Sequence, residues 1–134
     1  MIQTSYFARY KGDNGISIAR YRPSWATVPE YPQLAPTLYL LNAYKEGNIS
    51  IEEYEEMYRK KVLSVLDPRQ VAIELDGKVL LCWEITELFC HRKIVSKWFT
   101  EKLRIAVPEV VYRKNMQLKP VKHKLIEKHY YTLL

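Results

Sequence analysis

A chain of 134 residues, 48% hydrophobic and 27% charged, has the length and composition of one globular domain with enough apolar material for its own core. No apolar run approaches the roughly 18 residues of a membrane span, which excludes a helical membrane protein. The start, Met1-Ile2-Gln3-Thr4, lacks the pattern of a secretory leader, so the two cysteines are expected as reduced thiols of a cytoplasmic protein. The net charge of +6 is concentrated late in the chain. Arg113, Lys114, Lys119, Lys122, Lys124 and Lys128 face only Glu127, a basic tail suited to nucleic acid, to an acidic partner or simply to solvent. The expected organisation is a single α/β domain over residues 1–113, with residues 114–134 as a basic tail or a helix packed on it.

In chain order, Ile2 to Ala8 alternates apolar and small polar residues before Lys11-Gly12-Asp13-Asn14-Gly15, which predicts a strand and a loop. Ile16-Ser17-Ile18-Ala19 predicts a second short strand, with Arg20 at its carboxyl end. Residues 21–36 hold Pro23, Pro29, Pro32 and Pro36 with Tyr21, Trp25 and Tyr31 between them. Prolines deny backbone donors, so this stretch is expected as a long surface loop. Pro36 is expected in the first turn of a helix with Leu38 and Leu41 on its stripe and Gly47 as its stop. Ser50 and Glu53 form a capping box, with Ile49 and Tyr54 placed as a hydrophobic staple. The helix that follows is expected to reach Leu66, with Tyr54, Tyr58, Val62 and Val65 on one face. Asp67-Pro68-Arg69-Gln70 opens another short helix, ended by the turn Asp76-Gly77.

Val79-Leu80-Leu81-Cys82-Trp83 is a near-continuous apolar run, as in a strand covered on both faces of a parallel sheet. His91 to Leu103 predicts a helix with Ile94, Val95, Trp98, Phe99 and Lys102 on one side. After Pro108, Val110-Val111-Tyr112 reads as a last strand, and residues 118–131 as a weakly patterned basic helix. Strands alternating with helices give a small α/β domain, helices on both faces of a mostly parallel sheet. In such sheets ligands bind outside the carboxyl ends of the strands.

The segment from Cys82 to Arg92 carries the most chemistry. Cys90 precedes or opens the helix at His91, where unpaired backbone donors and a partial positive charge favour a thiolate. The same features hold an anion, and Arg20 would add a bidentate clamp from the neighbouring strand. Three readings compete. Cys90 is a nucleophile while His91 or Glu84 moves protons; Glu84 is the nucleophile or base of a glycosidic mechanism; or Cys82, Cys90 and His91, with Glu84 nearby, bind a metal. The last is the weakest, because the cysteine spacing matches none of the usual paired-ligand spacings. No metal and no cofactor is therefore assigned. The catalytic candidates are Cys90, Glu84 and His91, and the ligand-binding candidates are Arg20, Arg92, Arg22 and Tyr6. Taken singly, Cys82 reads as a buried core residue, and Glu84 or Arg92 as a surface charge.

The run Leu80-Leu81-Cys82-Trp83-Glu84, followed by Phe89-Cys90-His91-Arg92, resembles the C-x-E and C-H-R signature of domain-of-unknown-function family 488. Thr4-Ser5-Tyr6-Phe7-Ala8, the stretch from Ile16 through Arg20-Tyr21-Arg22-Pro23 to Trp25, and Leu34-Ala35-Pro36 agree with it. The resemblance spans about residues 1–113. It implies a small three-layer, Rossmann-like fold with a mostly parallel sheet, and points to Arg20, Cys82, Glu84, Cys90, His91 and Arg92 as the site. It brings no substrate. Longer members carry an acidic residue just before the second-strand arginine, where this chain has Ile18 and Ala19, and often a proline between the cysteines. The function expected is an enzyme or ligand-binding domain for a small phosphorylated or nucleotide-like ligand. The alternatives are a nucleic-acid module using the tail and the aromatic loop, or an accessory interaction domain. Oligomeric state is not legible, and no membrane partner is expected.

Overall fold

A computed structural model describes residues 1–111. Three strands, β1 (Gln3–Tyr6), β2 (Gly15–Ser17) and β3 (Val79–Cys82), form a wholly parallel sheet in the order β1-β3-β2. Among the described residues, four helices, α1 (Leu38–Lys45), α2 (Ile51–Lys61), α3 (Pro68–Glu74) and α4 (His91–Leu103), make with this sheet a small α/β domain. Among the described residues, no helix is long and apolar enough to cross a membrane.

The central strand is buried along its whole length, which is why its sequence is a continuous apolar run rather than an alternation. Period two divides its first three side chains, and Cys82 at the strand end joins the second cluster. Leu80 joins the main core with Ile16 and Ile18, while Val79 and Leu81 join a second cluster with Phe7, Ala19 and Ala26. Gly15, opposite Val79, is required by this packing: a Cβ there would stand 2.8 Å from Leu81 and from the Tyr10 ring.

The helices begin where the sequence provides caps. Ser50 Oγ accepts from the Glu53 amide and the Glu53 carboxylate accepts from the Ser50 amide, a complete capping box. Asp67 caps α3 with Pro68 at its first position. α1 begins at Leu38, two residues past the expected start at Pro36: Thr37 is its cap, accepting from Leu40, and Pro36 lies outside. α2 stops at Lys61 and passes into a 3-10 turn, Leu63–Val65. The tighter winding takes Val65 off the helix stripe, so it is 78% exposed while Tyr54, Tyr58 and Val62 are buried.

Residues 21–36 are only partly a surface loop. Tyr31 and Leu34 enter the main core, a 3-10 turn forms at Pro32–Leu34, and Glu30 makes a parallel bridge with Ser17. The bridge avoids the proline nitrogens: the Ser17 N–H donates to the Pro29 carbonyl and the Tyr31 N–H donates to the Ser17 carbonyl. The last expected strand is reduced to a bridge between Thr4 and Glu109, and its residues from 112 onward lie outside the described residues, as does the basic tail. The main core takes Leu40 of α1, Tyr54 and Tyr58 of α2, Val71 of α3 and Ile94, Val95, Trp98 and Phe99 of α4, while the second cluster gathers Cys82, Cys90 and the loop residues Phe7, Tyr10, Ala26 and Val28.

Candidate active site

Two features converge at the carboxyl edge of the sheet: the end of β3 at Cys82 and the start of α4 at His91. α4 is pinned there by Ile94, Val95, Trp98 and Phe99 in the main core. It ends at Arg104, in the left-handed conformation at φ 56°. Ser96 Oγ donates to the Val107 carbonyl at 2.7 Å, and the returning chain sets Glu109 beside Thr4. Lys93 Nζ donates to the Thr86 carbonyl at 2.7 Å and ties down the intervening loop.

Cys90 is the N-cap of α4, with extended φ −152° and ψ 152° and no side-chain capping bond. The expectation of two free thiols is corrected here, because Cys82 and Cys90 are joined as a disulfide. The strand end and the helix start deliver both sulfurs to one buried point, with each residue no more than 2% exposed.

His91 is buried at 6% exposure. Its Nε2 lies 2.7 Å from the Ile18 carbonyl, which can only accept, so the proton is on Nε2 and Nδ1 keeps its lone pair. That lone pair faces Cys90 Sγ at 3.6 Å. Burial, aided by the Arg92 charge and opposed by the Ile18 carbonyl, pushes the imidazole down to about 4, so it is neutral at pH 7.

Arg92 does not face a ligand. It is wholly buried, and its Nη2 and Nε donate to the Glu109 carboxylate at 2.7 and 2.9 Å. Its Nη1 donates to Cys82 Sγ at 3.2 Å, and its guanidinium lies 5.9 Å from the centre of the Tyr6 ring. Thr4 and Thr86 hydroxyls donate to the same carboxylate at 2.6 and 2.8 Å. Burial raises the Glu109 pKa, but Arg92 and the two hydroxyls outweigh it and hold the carboxyl below the usual range. A guanidinium removed from water is tolerable only with such a partner. Arg92 therefore positions Cys82 and is not available to a solvent-borne anion.

The remaining candidates are on the rim. Arg20 is exposed, donates to the Pro36 carbonyl at 3.4 Å and lies 5.7 Å from the Tyr21 ring centre. It lines an open groove of about 460 Å³ with Tyr21, Pro36, Thr37 and Lys61. Arg22, also exposed, donates to the Val28 carbonyl of its own loop. Glu84 is exposed just past β3. Trp83 Nε1 donates to the Tyr21 carbonyl at 2.7 Å, and Phe7 meets Trp83 and Trp25 edge to face. The structure thus brings Cys90, His91, Arg92 and Tyr6 together around Cys82. It leaves Arg20, Arg22 and Glu84 on the exposed rim, and the expected Arg20 clamp at the helix start is not made.

Sequence reasoning missed Glu109, Thr4 and Thr86. The one local signal was a lone carboxylate inside the apolar run Val107-Pro108-Glu109-Val110-Val111. It also undervalued Cys82, which an apolar strand disguises as core.

No curated protein and no solved structure matched the chain. The family model described as DUF488-N3a, the active DUF488-N3 subclade, matches residues 6–103. That span contains both cysteines, His91, Arg92, Arg20, Arg22, Tyr6 and Glu84, and stops short of Glu109. With the match covering well over half of its length, the chain belongs to the DUF488-N3a family.

Proposed function

We propose that the protein is a thiol-dependent enzyme, a hydrolase or transferase, acting on a small phosphorylated or nucleotide-like ligand at the start of α4. The observation that carries this reading is the 3.6 Å approach of Cys90 Sγ to the lone pair of His91 Nδ1, at the carboxyl edge of a parallel sheet. The working form is the dithiol. The disulfide takes two electrons and two protons from an external dithiol, which itself becomes a disulfide, and a reducing cytoplasm suits that state. Cys90 then passes its proton to His91 and bonds through sulfur to an electrophilic phosphorus or carbon. The leaving group departs with its electron pair and receives that proton from His91. The partial positive charge at the α4 start favours both thiolate and anion, and Arg20 and Arg22 supply rim charges for the acidic part of the ligand.

Alkylation of the reduced full chain with iodoacetamide at neutral pH, followed by peptide mass spectrometry, tests this. Cys90 is expected to react faster than glutathione, and His91→Ala to remove the advantage. A rate no faster than glutathione overturns the nucleophile, and Glu84→Gln then becomes the informative variant for a carboxylate mechanism. A second reading, single-stranded nucleic acid as the ligand, is favoured by one observation: Tyr21 and Trp25, in the same loop as Arg20 and Arg22, are 59% and 61% exposed, so bases could stack there. Gel shifts that weaken steeply with salt, and with Trp25→Ala, would support it; absence of a shift at low salt removes it.

A further inference from the structure

We infer that Cys82, Cys90 and His91 form a binding site for a divalent cation of the zinc class when the two sulfurs are reduced. The inference goes beyond the enzyme reading and does not depend on it. Three donor atoms, two Sγ and one imidazole nitrogen, all lie within 4.8 Å of one another. They come from two places that the fold fixes separately: the end of β3, and the consecutive cap and first residue of α4.

The surroundings of the trio are those of metal ligands. A coordinating histidine usually donates its second ring N–H to a carbonyl or carboxylate, which fixes tautomer and ring orientation. His91 does this through Nε2 to Ile18 at 2.7 Å, leaving Nδ1 aimed at the sulfurs. Cys82 Sγ already accepts from Arg92 Nη1 at 3.2 Å, a bond that a metal-bound thiolate keeps. The Arg92 charge is matched by Glu109, so two thiolates and a neutral imidazole balance a divalent ion. The two Cα atoms stand 7.3 Å apart, wider than the roughly 4.4–6.8 Å most disulfides span. The sulfurs can therefore part to the separation of about 3.8 Å that two zinc–sulfur bonds of ~2.3 Å require at a tetrahedral centre.

Sequence spacing hides such a site. Short Cys-to-Cys spacings arise where both ligands share one turn, whereas here a strand end and a helix start supply them. On binding, the two thiols release two protons to solvent, and the sulfurs and Nδ1 donate three electron pairs. The trio supplies three of the four ligands of a tetrahedral shell. Metal-bound, disulfide and free dithiol become three exclusive states of one cluster.

The test uses the full chain reduced with a phosphine, desalted without oxygen and titrated with cobalt(II). The expected result is one equivalent bound per chain, with thiolate-to-cobalt charge-transfer absorption and the visible bands of a tetrahedral site. Cys82→Ser and Cys90→Ser should each lose about half of the charge-transfer intensity, and His91→Ala should shift the visible bands. Because a serine variant can fail to fold, the unmodified chain supplies a second readout. Zinc should block alkylation of both cysteines, and oxidation of the pair should release it to a chromophoric chelator. Failure of the native disulfide to reduce, absence of binding, or undiminished cobalt absorption in the double serine variant overturns the site. Alkylation of the metal-free dithiol tests the nucleophile separately, so either idea can fail alone.

Discussion

The cluster at the start of α4 and the aromatic rim around residues 20–25 both sit at strand ends, and both carry arginine beside aromatic rings. They are built on opposite terms. In the cluster, Arg92 is wholly buried and its donors go to Glu109 and Cys82. On the rim, Arg20 and Arg22 are exposed and donate to carbonyls of nearby backbone, Pro36 and Val28. The first arginine is framework and the second pair faces solvent. On the function proposed above, the cluster would do the chemistry from a dry shell and the rim would do the recognition.

The sharpest way to break the comparison is to remove one half of the buried pair. Glu109→Ala leaves Arg92 charged and unpartnered and strands the Thr4 and Thr86 hydroxyls. The expected loss is about 3–5 kcal/mol of unfolding free energy, measured by urea denaturation. Arg92→Met combined with Glu109→Leu should recover most of it, because the desolvation of both charges is removed together. If Glu109→Ala costs less than about 1 kcal/mol, the pair is solvated and the contrast with the rim collapses.

The pH dependence of stability separates the regions next. The folded pKa of His91 is depressed, to about 4 from 6.5. At pH 7 the imidazole is neutral in both states, so its stabilising share is intact. As pH falls below 6.5 the unfolded chain binds a proton that the native one refuses, and stability declines until about pH 4. The window corresponds to a loss of about 3 kcal/mol. Glu109, with its folded pKa lowered, adds a further loss as pH falls below the ordinary carboxylate value. Urea midpoints from pH 7.5 to 5.5 sample His91 before the carboxylates titrate, and His91→Gln should flatten that slope. An unchanged slope in the variant would show that another group carries it.

How far the sequence led follows from the range of each interaction. The capping box at Ser50 and Glu53, the starts of α3 and α4, and the apolar run of β3 are local patterns, and they appear where expected. The C-H-R segment was legible as a cluster because its residues are consecutive. What failed was long-range. Thr4 and Glu109 are 105 residues apart, and nothing near either announces the other. A charge in the first turn of a helix reads as a ligand or surface group until a buried carboxylate is found for it, and Glu109 is that carboxylate for Arg92. The loop at residues 21–36 was read from its prolines, which report missing donors but say nothing of Tyr31 and Leu34 entering the core.

The smallest effects belong to the rim, and they decide whether it is a recognition surface at all. Trp83→Phe removes the donor to the Tyr21 carbonyl while keeping an aromatic face toward Phe7. Trp83 is 49% exposed, so water can replace the lost bond, and the cost should be about 0.5–1 kcal/mol. Arg20→Ala and Arg22→Ala should each change stability by less than about 0.5 kcal/mol, as exposed substitutions do. Yet each should weaken binding of inorganic phosphate or a nucleoside monophosphate several-fold, read by titration calorimetry at low salt, because the ligand's charge has no access to Arg92. Should the rim variants leave such binding untouched while the chain still binds the anion, the buried cluster must open to admit it, and the division between rigid chemistry and exposed recognition would have to be redrawn.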